Sequence, residues 1–223
     1  MDADKRRWIL ILTMLVLGSI TANVAAKFQM GWQAACTAAV LLNVLVLAYL
    51  VRFRDGVIGR FYVLALIAGV CELLSDYWAV SLRGILVYPA DEPHLWKSPA
   101  YMPLAWSATL VEFVFIASWL GEKIGRIKAA LLLASVGAVF LPLNEYLAKF
   151  SGFWYYQDCW MLWGIVPVFL ILAESVIVAV LPWFAHWAKS ADWWTLAILG
   201  VLQGAWMYFV TEASWLVMGT PPT

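Results

Sequence analysis

Histidine and cysteine are nearly missing from this chain of 223 residues. There are two histidines, His94 and His186, and three cysteines, Cys36, Cys71 and Cys159, with no Cys-x-x-Cys spacing. That scarcity excludes the histidine clusters of a membrane di-iron hydroxylase or desaturase and argues against a haem or zinc centre. No metal and no other cofactor is therefore expected. Cys36 and Cys71 fall in apolar runs, where a thiol packs as a small hydrophobe. Charge is scarce as well: 14 Lys and Arg balance 14 Asp and Glu, and charged residues make up 13% of the chain. Soluble domains carry about 25%. A balance at zero points to no nucleic-acid partner, and no polar stretch is long enough for a separate soluble domain. The long apolar runs contain no Lys or Arg. A retinal Schiff base is thus disfavoured, since the last run lacks its lysine. No DDxxD-type motif occurs, which removes the signature of a synthase that ionises a diphosphate.

What is present is apolar. Hydrophobic residues are 65% of the sequence, an excess that needs a solvent other than water. A bilayer core takes about 20 apolar residues per helix. The chain reads as an all-α polytopic membrane protein, one seven-helix transmembrane domain over 1–223. The expected spans are 8–26, 33–51, 61–82, 99–121, 129–148, 161–187 and 195–218. Lys5, Arg6 and Arg7 precede the first run like a secretory n-region, but the run from Trp8 to Ala26 is long enough to span. With seven spans, ten bases (Lys5, Arg6, Arg7, Arg52, Arg54, Arg60, Lys123, Arg126, Lys128, Lys189) collect on one side. Four (Lys27, Arg83, Lys97, Lys149) collect on the other. The positive-inside rule then puts the N-terminus in the cytoplasm and the C-terminus outside, with a bacterial inner membrane as the expected location.

Spans 3–4 and 5–6 read as a duplicated helical hairpin. The first copy runs Glu72, Asp76, Ala79, Gly84, Tyr88, Pro103 and Glu112; the second runs Asn144, Glu145, Ala148, Gly152, Tyr156, Pro167 and Glu174. Acid to alanine is three residues in both copies, and glycine to tyrosine is four in both.

Six acids fall in the apolar runs: Glu72, Asp76, Glu112, Glu145, Glu174 and Glu212. An ionised acid at mid-bilayer costs ~2.5–3.5 kcal/mol even on lenient insertion scales, so such residues face an interior and mark function. Glu72 and Asp76 are four apart and share a helix face. Glu112 and Glu174 are expected ~20 Å in from the outer end of their spans, at 1.5 Å per residue. The other acids lie in the outer halves, and all six could line one outward-facing cavity. Clustered carboxylates cannot all ionise together, so at least one is expected to be a neutral acid. The bland reading of Glu145 and Glu212 is that they are interfacial and solvated. Asn23, Asn43, Asn144 and Gln203 suit hydrogen bonding between helices; Asn144, beside Glu145, also joins the expected substrate-binding set.

Tryptophan is the second excess, with 15. Trp8, Trp32, Trp96, Trp154, Trp160, Trp163, Trp187, Trp193 and Trp194 lie near span ends, as an interfacial belt would. Others share spans with the acids. Aromatic faces stabilise a desolvated cation by ~0.5–2 kcal/mol each, and the expected cation-stabilising wall is Trp78, Trp106, Tyr155, Trp163 and Trp206.

Two classes of function use acids beside aromatic walls. In one, a carboxylic acid protonates an alkene or epoxide of a lipid-dissolved isoprenoid, aromatic faces hold the carbocation, and a second carboxylate takes a proton back. In the other, the acids move protons or a cation across the membrane. A non-catalytic carotenoid- or lipid-binding protein is a third reading.

The pattern Glu145, Ala148, Gly152, Trp154, Tyr156, Pro167 and Glu174 resembles the small integral-membrane lycopene cyclases, which carry comparable duplicated hairpins. Seven spans with intramembrane acids also look like the membrane-bound meroterpenoid cyclases. The resemblance covers residues 70–175. It implies a metal-independent cyclase, isomerase or hydratase whose partners are membrane lipid and a hydrophobic isoprenoid substrate. The candidate acid and base set is then Glu72, Asp76, Glu112, Glu174 and Glu212, with Glu145 beside them.

Overall fold

A computed structural model describes residues 2–220. Seven helices are long and apolar enough to cross a membrane: α1 Ala3–Phe28, α2 Trp32–Phe53, α3 Gly56–Leu82, α4 Met102–Ile124, α5 Arg126–Ser151, α6 Val168–Ala188 and α7 Trp193–Met218. The all-α, seven-span reading of the sequence stands. α4 is the most buried of the seven and packs against α2, α3, α5 and α6. α3 packs on α7 and α6 on α7, while α1 lies against α2 and α5.

Short-range chemistry fixes where helices begin and how closely they pack. Asp55 caps α3 by accepting from the Val57 and Ile58 N–H groups, which meets donors that a helix start leaves open. The same carboxylate takes two hydrogen bonds from Arg7 of α1 and one from Tyr49 of α2. Three helices are thereby tied at one end of the bundle. Inside it, Asn43 of α2 donates to the Leu104 carbonyl of α4 and accepts from Ser107, the interhelical role expected for such residues. Two glycines set close approaches. A Cβ on Gly69 would sit 2.5 Å from the Pro103 carbonyl oxygen of α4, and one on Gly137 would meet Val178 at 2.5 Å and the Glu174 carbonyl at 3.0 Å.

Two long loops close the opposite end of the bundle. Each opens on a glycine with left-handed φ, Gly84 at 67° and Gly152 at 73°. Each contributes one strand to a shared antiparallel ladder, β1 Leu86–Val87 with β4 Tyr155–Tyr156, in the register Leu86 with Tyr156 and Val87 with Tyr155. Each then forms a small hairpin: β2 His94–Leu95 with β3 Ser98–Pro99, and β5 Met161–Leu162 with β6 Val166–Pro167. Pro99 and Pro167 occupy the same place in their loops, whereas the sequence spacing aligned Pro103 with Pro167. The second hairpin also corrects a boundary. Residues 161–167 were expected inside the sixth span, but they form β5 and β6, and the helix starts at Val168. Apolar periodicity cannot separate a strand of aromatic and branched residues from helix over so short a run.

Candidate functional site

A cavity of about 260 Å³ lies in the loop-bearing half of the bundle, with walls from all seven helices and both long loops. Five of the six intramembrane acids line it: Glu72, Asp76, Glu112, Glu145 and Glu174. No Lys, Arg or His does. Among the described residues no three His, Cys, Asp or Glu side chains come together as metal ligands would, so the acids are spread along the cavity rather than gathered at a point.

Irregularity in α3 presents the first pair. The regular helix stops at Cys71, resumes at Leu73–Tyr77, and passes into a π-turn at Trp78–Leu82, a device that re-aims side chains and recurs at functional sites. Glu72, Asp76, Trp78 and Ala79 all reach the cavity. Glu72 is 4% exposed, faces Asp76 and Trp106, and has no hydrogen-bond partner at Oε2. Asp76 accepts from the Tyr88 hydroxyl at 2.8 Å. Tyr88 sits in the loop after α3. Burial first, then the nearby Asp76 and Glu72 carboxyls, push its phenol well above the ordinary range. It therefore remains a donor.

The second group comes from α4, α5 and α6. Glu145 accepts from the Trp154 indole at 2.6 Å. Glu174 is 3% exposed and its Oε2 lacks a partner; the Gly137 contact brings its helix against α5. Glu112 lines the cavity without a hydrogen bond to any described residue. At 1.5 Å per residue it lies about 15 Å into α4 from Met102, and Glu174 about 9 Å into α6 from Val168. The ~20 Å expected for Glu174 fails because its helix starts seven residues later than the apolar run.

The sixth acid is elsewhere. Glu212 follows Thr211, which does line the cavity with Met207, and one residue along a helix turns by 100°. Its carboxylate lies 3.9 Å from the Arg83 guanidinium, and both are partly exposed. Arg83 in turn lies over the Trp78 and Trp215 rings. So Glu212, expected without a basic partner, has one outside the cavity.

The aromatic wall also differs in membership. Trp78 and Trp106 line the cavity, as does Asn144, whose Nδ2 donates to the Phe140 carbonyl of its own helix. Tyr155, Trp163 and Trp206 do not. Side chains alternate along a strand, so Trp154 and Tyr156 turn inward and Tyr155 outward. Trp163, at φ 54° beside the tip of the second hairpin, is 77% exposed. Trp206 precedes Met207 on α7 and joins a shallow apolar groove with Trp183 and Phe184. Sequence reasoning missed Tyr88, Trp154, Tyr156 and Phe169. The Gly152-x-Trp154-x-Tyr156 spacing held the signal for two of them, since residues two apart share a strand face. Tyr156 is raised well above the usual phenol range by burial first and then by Glu145, Asp76 and Glu174. Phe169 stands edge-on to Trp78 at 6.2 Å.

On one side the wall is thin. Gly18, Ser19 and Ala22 of α1 and Ala35, Ala38 and Ala39 of α2 form it. Ser19 both lines the cavity and is exposed on the bundle's flank, so a single residue there touches both the cavity and the surface that lipid would cover.

A family model described as a domain of unknown function, DUF6989, matches residues 73–218. No curated protein matches the chain, and no solved structure does.

Proposed function

The chain belongs to the DUF6989 family, and for it we propose a metal-independent isoprenoid cyclase or isomerase that works by proton-initiated carbocation chemistry inside the membrane. One observation carries the reading: five carboxylates share an apolar, aromatic-walled cavity with no basic side chain among its lining residues. An ionic ligand of negative charge would find no partner there, whereas an alkene finds proton donors and a cation finds aromatic faces and carboxylates.

The Glu72–Asp76 pair donates the proton. The Tyr88 hydroxyl bonded to Asp76 stabilises the carboxylate left behind, which strengthens the acid at the moment of transfer. The proton adds to a terminal double bond or epoxide, ring closure moves the cation, and Trp78, Trp106 and Phe169 hold it by their faces. Glu145, which accepts from the Trp154 indole, or Glu174 next to it, removes a proton to leave a new alkene. Atoms balance, since substrate and product are isomers; capture of the cation by water would give a hydrate instead. A volume near 260 Å³ suits one end of a long isoprenoid, with the rest of the chain leaving past Ser19 into lipid. The Lys and Arg asymmetry supports a cytoplasmic N-terminus, and a bacterial inner membrane is the location this reading takes.

Lipid extracts from cells making the protein with linear isoprenoid precursors test this by mass spectrometry. A product isomeric with its precursor, or heavier by one water, is expected from the wild type and not from Glu72→Gln/Asp76→Asn. Turnover unaffected in that double variant would end the mechanism. The unpartnered oxygens of Glu72 and Glu174 also favour a second reading, carriage of a lipophilic organic cation; ion-dependent uptake into proteoliposomes without product formation would select it.

A further inference from the structure

Next to the cavity, three more buried polar groups lie under the first long loop. Glu92 is 4% exposed although Asp91 on one side and Pro93 and His94 on the other are exposed. Among the described residues, neither of its carboxylate oxygens makes a hydrogen bond of good geometry, and the same holds for the Tyr101 hydroxyl and the Ser98 hydroxyl. Buried polar groups are nearly always paired, and a cluster left open calls for a reason. The loop holding them is fixed: Trp32 of α2 donates to Asp91 at 3.2 Å, and the His94 ring nitrogen Nδ1 lies 2.7 Å from the Glu92 carbonyl.

Their arrangement runs inward. Glu92 faces Tyr101, with Asp91 and Asp76 the other charged groups acting on it. Tyr101 opens α4, lines the cavity, and faces Glu92, Cys36 and Asp76. Ser98 faces Asp76. Glu92 itself is absent from the cavity wall and meets it through Tyr101, which lines it.

We propose that Glu92 and Tyr101 form a proton path from the loop surface to Asp76, with the Ser98 hydroxyl beside the receiving carboxylate, and that this path recharges the Glu72–Asp76 donor after each turnover. The role rests on the cyclase reading, because only a donor that loses its proton needs recharging. In one passage Glu92 gives its proton to the Tyr101 oxygen as the phenol releases its own to the Asp76 carboxylate, and Glu92 regains one from water at the loop surface. Over a full cycle nothing is consumed: one proton moves inward to replace the one given to the substrate, and the proton that Glu145 or Glu174 takes from the cation is returned to water. Burial, the first cause, pushes the Glu92 carboxyl up to about 7, so near neutral pH it can both hold and release a proton. Burial and Glu92 hold the Tyr101 phenol well above its usual range, which keeps it a relay rather than a charge trap. Glu92 is a positioning and supply residue; it does not touch the substrate.

Infrared spectroscopy of the protein in lipid nanodiscs after a pH jump tests the path without needing turnover. The carboxyl band lost in Asp76→Asn identifies Asp76. In the wild type this band is expected to follow bulk pH promptly, and in Glu92→Gln and Tyr101→Phe at least tenfold more slowly. Glu92→Gln should also flatten the fall of turnover above about pH 7, and a small weak acid such as formate should restore its rate. If Glu92→Gln does not fold, Tyr101→Phe alone decides. Equal Asp76 kinetics in the wild type and in both variants would overturn the path while leaving the cyclase reading intact. Slowed kinetics in a protein that makes no cyclised product would keep the path and remove the cyclase.

Discussion

Trp154 gives its indole N–H to Glu145 across 2.6 Å, joining the loop before β4 to the last turns of α5. A hydrogen bond to a charged group contributes ~1.5–3 kcal/mol, and each 1.4 kcal/mol is tenfold in rate. Trp154→Phe keeps a ring and removes the donor. Turnover is expected to fall about tenfold to a hundredfold with the fold kept, as judged by rate and size-exclusion profile; an unchanged rate would remove Glu145 from the proton-accepting role.

Gly137 sets the distance between α5 and α6. A methyl there would meet Val178 at 2.5 Å and the Glu174 carbonyl at 3.0 Å, and overpacking of this kind costs about 1–3 kcal/mol. Gly137→Ala should lower the thermal midpoint and displace Glu174. Gly18→Ala, whose Cβ would lie 3.8 Å from Leu42, should leave the midpoint unchanged.

Asp55 carries a pH-dependent share of stability at the other end of the bundle. Burial acts to raise its carboxyl, but the bond from Arg7, the Ile58 N–H and the Arg7 charge outweigh it and hold the group below its ordinary 3.8. That share is present above about 3.8 and is lost as pH falls through the lower folded-state value. Asp55→Asn, whose amide oxygen can still cap α3 but which takes the negative charge away from Arg7, should cost about 3 kcal/mol at neutral pH in a denaturation series and abolish the acid limb.

Glu92 works in the opposite direction. Its folded-state value is raised from 4.5 to about 7, so its favourable share is complete below 4.5 and is lost as pH rises through about 7. The thermal midpoint should decline over that window in the wild type, and Glu92→Gln should flatten the decline.

Much of this was legible in the residues. Seven apolar runs of about 20 residues read as seven spans because the bilayer sets a length that single-sequence periodicity detects well. Five of six acids landed in one cavity because a carboxyl inside a bilayer has few stable places other than an interior. Glu212 was the exception, since Arg83 sits just past the end of α3, beyond the span itself. The loops were less legible. The outward turn of Tyr155 follows from a two-residue strand whose register depends on β1, 68 residues away in sequence, and nothing local fixes which face of Trp154–Tyr156 points in. Glu92 was passed over because it lies in a polar stretch between spans, where acids are ordinarily solvated.

Proton-initiated cyclisation leaves a mark that transport and binding do not. Purified protein in nanodiscs should be incubated in D2O with a linear isoprenoid and the product weighed and located by NMR. One non-exchangeable deuterium at the carbon protonated first is expected in the cyclised product, absent with Glu72→Gln/Asp76→Asn. A cyclised product without deuterium, or substrate recovered unchanged across linear carotenoids, quinone precursors and prenylated aromatics, would contradict the reading.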